Sequence, residues 1–314
     1  MPNGKPAWLH VFAGASNLVG QGASSESFYN TRIPANVEVY SVKTVNASIN
    51  HLDFEHRYVE RLTRFRKHSP AIAYANLLSK SFTSRKHIIL LAANGNTGLW
   101  HWLHKSFYNI NQNPPTILGK DYLRTRITEN VRTHFFKHIQ NHEIVFKSFL
   151  WMSGTWDAGG NANGYPFDIS ENHSDGFDKS GRYQSRNLHK LFADTRSIVG
   201  DRNPEHILLG LIQDQRSFDP ASAARIVSVI RPAQKQVAKV RRRVQSVDTN
   251  GLTLKFNANG TQSPHFMPKS IDRFGECLFM IMVRKEVANV ESTGFPCYEG
   301  YVVPDWAKKE RPNS

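Results

Sequence analysis

The chain of 314 residues is short of cysteine, of acidic residues and of long apolar runs, and each shortage removes a class of protein. Its two cysteines, Cys277 in a helical pattern and Cys297 near the end, cannot build a disulfide framework or a cysteine-based metal site. Whether they bridge is left open. No apolar run approaches the length that crosses a bilayer. Met1-Pro2-Asn3-Gly4-Lys5 enters an apolar stretch without the extended hydrophobic region of a secretory signal. The expectation is a soluble chain, made without a signal or already processed. Internal repeats and Pro/Gly/Ser-rich linkers are absent too, so one domain is expected over residues 1–289, with 290–314 as a polar, basic extension.

Acidic residues number 26 against 40 Lys and Arg, which leaves a net charge of +14. Such a surface attracts anionic polymers: nucleic acid, acidic lipid or an acidic polysaccharide. The densest basic runs are Arg57, Arg61, Arg64, Arg66 and Lys67, then Lys239, Arg241, Arg242 and Arg243. A solvated helix face accounts for them equally well. Zinc-finger spacing and the aromatic-glycine signature of an RNA-binding strand are both missing, so charge alone points toward nucleic acid.

What the chain has is a succession of buried strands and amphipathic helices. Trp8 to Phe12 is an apolar run that breaks at Gly14-Ala15-Ser16-Asn17. Val37 to Val42 alternates as a short strand, and Pro70 opens a helix pattern that continues from Ala71 to Phe82. Further strands are expected over His87–Ala93, Glu143–Met152, His206–Ile212 and Val244–Val247. Helices are expected over Tyr122–Ile139, Arg182–Val199, Ala221–Val240 and Lys269–Lys285. Residues 158–179 read as a long surface loop, and Asp248 to Gly260 as a polar hairpin. Strand and helix alternating in this way predict an α/β fold with a doubly wound, mostly parallel sheet of about five strands.

In a doubly wound sheet the carboxyl ends of the strands share one edge, where ligands bind. The turns at Ser16, Gly95 and 153–157, with the segment around His265, are expected to converge there. A serine hydroxyl with an imidazole in reach is what nucleophilic catalysis needs, and the Ser16 and Gly95 amides are candidate donors to a developing oxyanion. The bland alternatives are a polar turn at Ser16 and a loop histidine packed under a helix at His265. Trp100, Trp102, Trp151 and Trp156 gather beside these turns, as core residues or as a platform for stacking a sugar.

Six blocks, in order, carry a resemblance. Gly14-Ala15-Ser16-Asn17-Leu18-Val19-Gly20 resembles the G-Q-S-N-M-x-G opening of the SGNH hydrolases, in their sialate O-acetylesterase-like, carbohydrate-esterase branch. Pro70 to Leu78 is similar to the family's G-P-x-x-x-F-A-x-x-L helix, and Ala93-Asn94-Gly95-Asn96-Thr97 to its A-x-G-G-T. Trp151-Met152-Ser153-Gly154-Thr155-Trp156-Asp157 resembles W-x-Q-G-E-x-D. Arg231-Pro232-Ala233-Gln234 is similar to R-E-A-Q, and Pro264-His265-Phe266 stands where the family has D-x-x-H-F. The resemblance spans about residues 7–285. It implies a three-layer α/β/α sandwich of flavodoxin-like type and hydrolysis of esters, typically O-acetyl groups on carbohydrate. Ser16 would be the nucleophile and His265 the base; Ser16, Gly95, Asn96 and Ser153 would surround the oxyanion, with Asn17, Asp157 and Gln262 in support. Asp157 is equally a residue that shapes its turn. No cofactor or metal is implied.

The departures from the family pattern concern the chemistry. The Gln before the serine is Ala15, the Gln and Glu of the third block are Ser153 and Thr155, and the acid three residues before the histidine is Gln262. Loss of one oxyanion donor costs about 10²–10³ in rate, and loss of a triad carboxylate on the order of 10⁴. Asn94 or Asn96 could replace the amide donor, and Asp248 or an acid in residues 168–178 could approach His265. Two readings follow. One is a carbohydrate O-acetylesterase working with a Ser-His dyad on an acetylated polysaccharide. The other is an SGNH scaffold without turnover, serving as a structural or glycan-binding module in a homo-oligomer or a larger assembly such as a virus particle.

Overall fold

Among the described residues, the apolar runs of the sequence meet in one sheet of eight strands. A computed structural model describes residues 4–19, 31–43, 47–48, 51–52, 58–65, 67–93, 95, 98–102, 134–154, 176–199, 204–214, 224, 226–241, 243–256, 262–287 and 295–298. In chain order the first strands are β1 (Lys5–Gly14), β2 (Val37–Lys43), β3 (Tyr58–Leu62), β4 (Lys86–Leu91) and β5 (His142–Met152). They are followed by β6 (His206–Leu211), β7 (Val244–Gly251), β8 (Leu254–Phe256), β9 (Gln262–Phe266) and β10 (Phe295–Tyr298). The large sheet runs β10-β7-β6-β5-β1-β4-β2-β3, while β8 and β9 pair antiparallel as a separate ribbon. All neighbours in the large sheet are parallel except β2 and β3.

The sheet is larger than the five strands expected. Taken alone, β1, β4, β5, β6 and β7 run β4-β1-β5-β6-β7, which is the 2-1-3-4-5 order of flavodoxin-like sheets. β2 and β3 extend one edge, and β10, within the stretch read as an extension, adds the other. Sequence patterning misses β3 and β10 for one reason. Edge strands carry charges and proline that a central strand would exclude, as in Tyr58-Val59-Glu60-Arg61-Leu62 and Phe295-Pro296-Cys297-Tyr298.

Helices cover both faces. A single turn, α1 (Ser16–Val19), leaves β1; α2 (Pro70–Ser81), α3 (Gly176–Val199), α4 (Arg231–Val240) and α5 (Pro268–Val287) follow. Period-two alternation in β1 sends Trp8 and Phe12 to one side and Leu9 and Val11 to the other. The first side packs on Tyr74 and Leu78 of α2 and Phe274 and Leu278 of α5. The second packs on Leu188, Leu191 and Phe192 of α3 and Val237 of α4. The result is an α/β/α sandwich. α3 starts six residues earlier than the sequence indicates. The expected helix over 221–240 is a wide turn, Ile226–Ile230, before α4, because Pro232 has no N–H to continue a regular ladder. Of the helix expected over Tyr122–Ile139, residues 134–135 form a wide π turn and Phe136–His138 a single α-helical turn; residues 103–133 lie outside the described residues.

Gly275 of α5 lies so close to α2 that a Cβ there would stand 2.1 Å from the Pro70 carbonyl oxygen. Further along α5, Cys277 and Cys297 form a disulfide, which ties the helix to the edge strand β10. Arg273 adds a second tie, its Nε donating to the Tyr298 carbonyl at 2.9 Å. Among the described residues no helix is long and apolar enough to cross a membrane.

The sheet face under α2 and α5 buries three histidines, His10, His87 and His206. His10 Nδ1 lies 2.7 Å from Ser148 Oγ and 3.0 Å from the Tyr74 hydroxyl, which donates to Met282 Sδ at 2.8 Å. Burial holds His10 well below the usual imidazole range, with the neighbouring His87 and His206 adding to the effect. Burial pushes His87 down to about 4. Both are therefore neutral in the folded chain at pH values where the unfolded chain takes up protons. The His87 contribution is expected to fall as pH drops from about 6.5 and to be lost below about 4, a change on the order of 3 kcal/mol, with the His10 contribution falling in the same direction. Urea denaturation across this range, with His87→Phe as the comparison, tests it: the variant should show a shallower loss.

Candidate active site

The centre of the sheet ends in a tight turn. Gly14 pairs with Met152 of β5 and has φ +127°, a conformation that L side chains rarely adopt. A Cβ at Gly14 would stand 2.2 Å from the Met152 carbonyl oxygen. That oxygen accepts the Ala15 N–H at 2.8 Å, so the chain leaves the ladder at once and Ser16 begins α1. Ser16 is half-buried and Asn17 buried. The place matters topologically. Connections from β1 lead to β4 on one side and β5 lies on the other, which makes the β1/β5 border the switch point of the central strands.

The turns after β4 and β5 flank this point. The Ala92 N–H donates to the Phe12 carbonyl at 2.8 Å, which carries the β1/β4 pairing one residue past β4; Gly95 follows in a half-buried turn. Ser153 and Gly154 follow β5 directly, both buried, and Gly154 again has positive φ, +139°. The Ser153 carbonyl accepts Gln234 Nε2 at 2.8 Å, and Gln234 Oε1 accepts the Ile212 N–H at 2.9 Å. Arg231, one helical turn earlier, donates to the Ile212 carbonyl and lies 2.6 Å from Asp248. The block Arg231-Pro232-Ala233-Gln234 therefore clamps the ends of β5, β6 and β7 together.

His265 comes from outside the main sheet, on β9. Asn17 is what brings it in: its Oδ1 accepts the Phe266 N–H at 3.2 Å across 249 positions of sequence. Ser16 and His265 are the immediate neighbours of those two residues. Among the described residues no hydrogen bond joins Ser16 Oγ to the imidazole. The ring's partner is Ser263, whose Oγ lies 3.1 Å from Nδ1 and also accepts the His265 backbone N–H at 3.3 Å. Burial lowers the His265 pKa, and Lys255 on the facing strand β8 lowers it further.

Of the residues named from sequence, Ser16, Asn17, Gly95 and Ser153 lie at the carboxyl edge of β1, β4 and β5, and His265 is held beside them. Gln262 opens β9. Asn94, Asn96, Asp157 and residues 168–175 lie outside the described residues. Asp248, considered as an acid for His265, is paired with Arg231 instead, since the buried guanidinium needs a counter-charge. Trp102 and Trp151 are core residues: both are buried, with rings edge to face at 5.3 Å, so neither is a sugar platform. Ser263 is a residue that the family blocks do not mark. In an extended strand an offset of two returns to the same face, whereas an offset of three does not, and that rule points at Ser263.

No protein-family model matches the chain, and no curated protein is similar enough to count as a match. Solved structures do resemble it. An Arabidopsis thaliana protein shares 16% identity over 89% of this chain and 98% of its own, with a TM-score of 0.53. A carbohydrate acetylesterase from Xanthomonas citri shares 11% identity over 87% of this chain and 54% of its own, with a TM-score of 0.49. An acetylxylan esterase from Geobacillus stearothermophilus shares 11% over 93% and 99%, with a TM-score of 0.41. What the first shares with this chain is the fold. The two esterases fall below the similarity at which a comparison carries weight.

The close approach at Gly14 has a measurable consequence. Gly14→Ala should lose on the order of 3 kcal/mol of folding stability, from positive φ together with overlap on a backbone oxygen that cannot move aside. Urea unfolding of the full chain measures it, with Ala13→Gly as the comparison for a change without backbone conflict.

Proposed function

We propose that the protein is a serine esterase that removes O-acetyl groups from carbohydrate, with Ser16 as nucleophile and His265 as general base. The observation that carries this reading is the Asn17–Phe266 hydrogen bond, which holds the serine turn against the histidine strand at the switch point of the sheet. The residues around it have the right chemistry. A hydroxyl at the end of a buried strand can attack an acyl carbon once an imidazole takes its proton. The Ser16 and Gly95 backbone N–H groups are the proposed donors to the oxyanion, with Asn96 and Ser153 as further candidates. Asn17 is assigned the task of holding β9 in place. Burial favours the neutral form of the His265 ring, the state a base requires.

Acetylated polysaccharide is the proposed substrate class, and the basic surface favours an acidic one. Arg64, Lys67, Lys239 and Arg243 are exposed and could receive a polyanionic chain. No metal or cofactor is needed in this scheme, because serine, histidine and backbone donors complete the reaction.

Hydrolysis of p-nitrophenyl acetate and of acetylated xylan tests the reading. Ser16→Ala and His265→Ala should each lower kcat/KM by about 10³ or more. Equal rates for the wild type and Ser16→Ala would turn the assignment to a scaffold without turnover. A hydroxyl rather than a carboxylate beside the imidazole is the feature that favours that second reading.

A further inference from the structure

We propose that Ser263 is the positioning residue of His265, and that its hydroxyl permits the imidazole tautomer the reaction needs without enforcing it. The inference rests on the esterase reading above and deepens it. In the acylation step, the Ser16 O–H bond breaks as Oγ bonds the acyl carbon, and the carbonyl π pair moves onto oxygen. The proton passes to His265 Nε2, which must arrive bare, with the ring's own proton on Nδ1. As the tetrahedral species collapses, the C–O bond to the sugar breaks and the same proton leaves with the sugar oxygen. Whatever faces Nδ1 therefore decides how much of the protein is ready to react.

Ser263 Oγ is that group, at 3.1 Å, and it is well fixed. Its residue is buried, and Oγ also accepts the His265 backbone N–H at 3.3 Å. A hydroxyl oxygen has two lone pairs and one proton. With one lone pair engaged by the backbone, the other can accept Nδ1–H, which leaves Nε2 bare. Equally, the hydroxyl proton can be donated to Nδ1, which places the ring proton on Nε2 and blocks the reaction. A carboxylate accepts only, so it would admit the first arrangement alone. It would also stabilise the imidazolium, which Lys255 on the facing strand opposes. The single hydroxyl thus preserves orientation and gives up control of the proton.

The test combines kinetics with a readout that needs no turnover. In full-length protein with ¹⁵N-labelled histidine, the His265 ring signals are assigned by their loss in His265→Gln. The wild type should show both tautomers; Ser263→Ala should change their ratio and Ser263→Thr should keep it. Ser263→Asp should leave Nδ1–H alone and move the acid limb of the kcat/KM profile upward by about one pH unit or more. For p-nitrophenyl acetate, Ser263→Ala should lower kcat about tenfold with KM little changed, and Ser263→Thr should stay within about threefold of the wild type. Identical tautomer ratios in wild type, Ser263→Ala and Ser263→Thr would overturn the proposal. If Ser263→Asp does not fold, the Ala and Thr pair still decides it. A wild type no faster than Ser16→Ala would remove the esterase reading, while the ring spectra would still report whether Ser263 sets the tautomer.

Discussion

Everything at the candidate site depends on how closely β1 and β5 approach at their carboxyl ends. The Met152 carbonyl fills the space a side chain would need at Gly14, and the same oxygen receives the next amide of the turn. One atom thus ends the strand, selects the residue and aims the chain into α1. Neighbouring strands lie about 4.8 Å apart, which is too near for anything but glycine to make this exit with positive φ. The serine that follows owes its place to this backbone constraint, not to contacts of its own.

Side chains that clamp the other strand ends surround that constraint. Gln234 spans from the Ser153 carbonyl to the Ile212 amide, and Arg231 reaches the Ile212 carbonyl and Asp248. Backbone groups just past a sheet's edge have lost their ladder partners and must find others. A helix that arrives with an arginine and a glutamine at its start supplies them. These residues resemble catalytic polar groups in type and burial, yet the hydrogen bonds described for them hold strand ends together.

The parts of this arrangement legible in the sequence are those that follow from local pattern. Apolar runs gave the central strands, the spacing of Ile72, Ala75 and Leu78 gave α2, and breaks at Gly14 and Gly154 marked the strand-end turns. β3 and β10 escaped because an edge strand tolerates the charge and proline that usually signal a loop. Pairing of Cys277 with Cys297 was equally out of reach, since it requires knowing that β10 docks beside α5. Ser263 was hidden by a different cause. In the SGNH pattern that the sequence resembles, the acid stands three residues before the histidine, whereas the in-phase neighbour in an extended strand stands two before it. Asp248 looked available only while its ion pair with Arg231 was unseen.

The ribbon of β8 and β9 stands apart from the large sheet. Its described anchors include Asn17 against Phe266, the Thr253 N–H on Ser270 Oγ, and the burial of Leu254 and Phe266 in the core under α5. Segments with few anchors open at lower free energy than the core that carries them, and amide hydrogen exchange records the two separately. The proposed nucleophile, Ser16, leaves the large sheet, while the proposed base, His265, stands on the ribbon. Their alignment is therefore carried by the seam between sheet and ribbon, and local opening of that seam would separate them without unfolding the sheet.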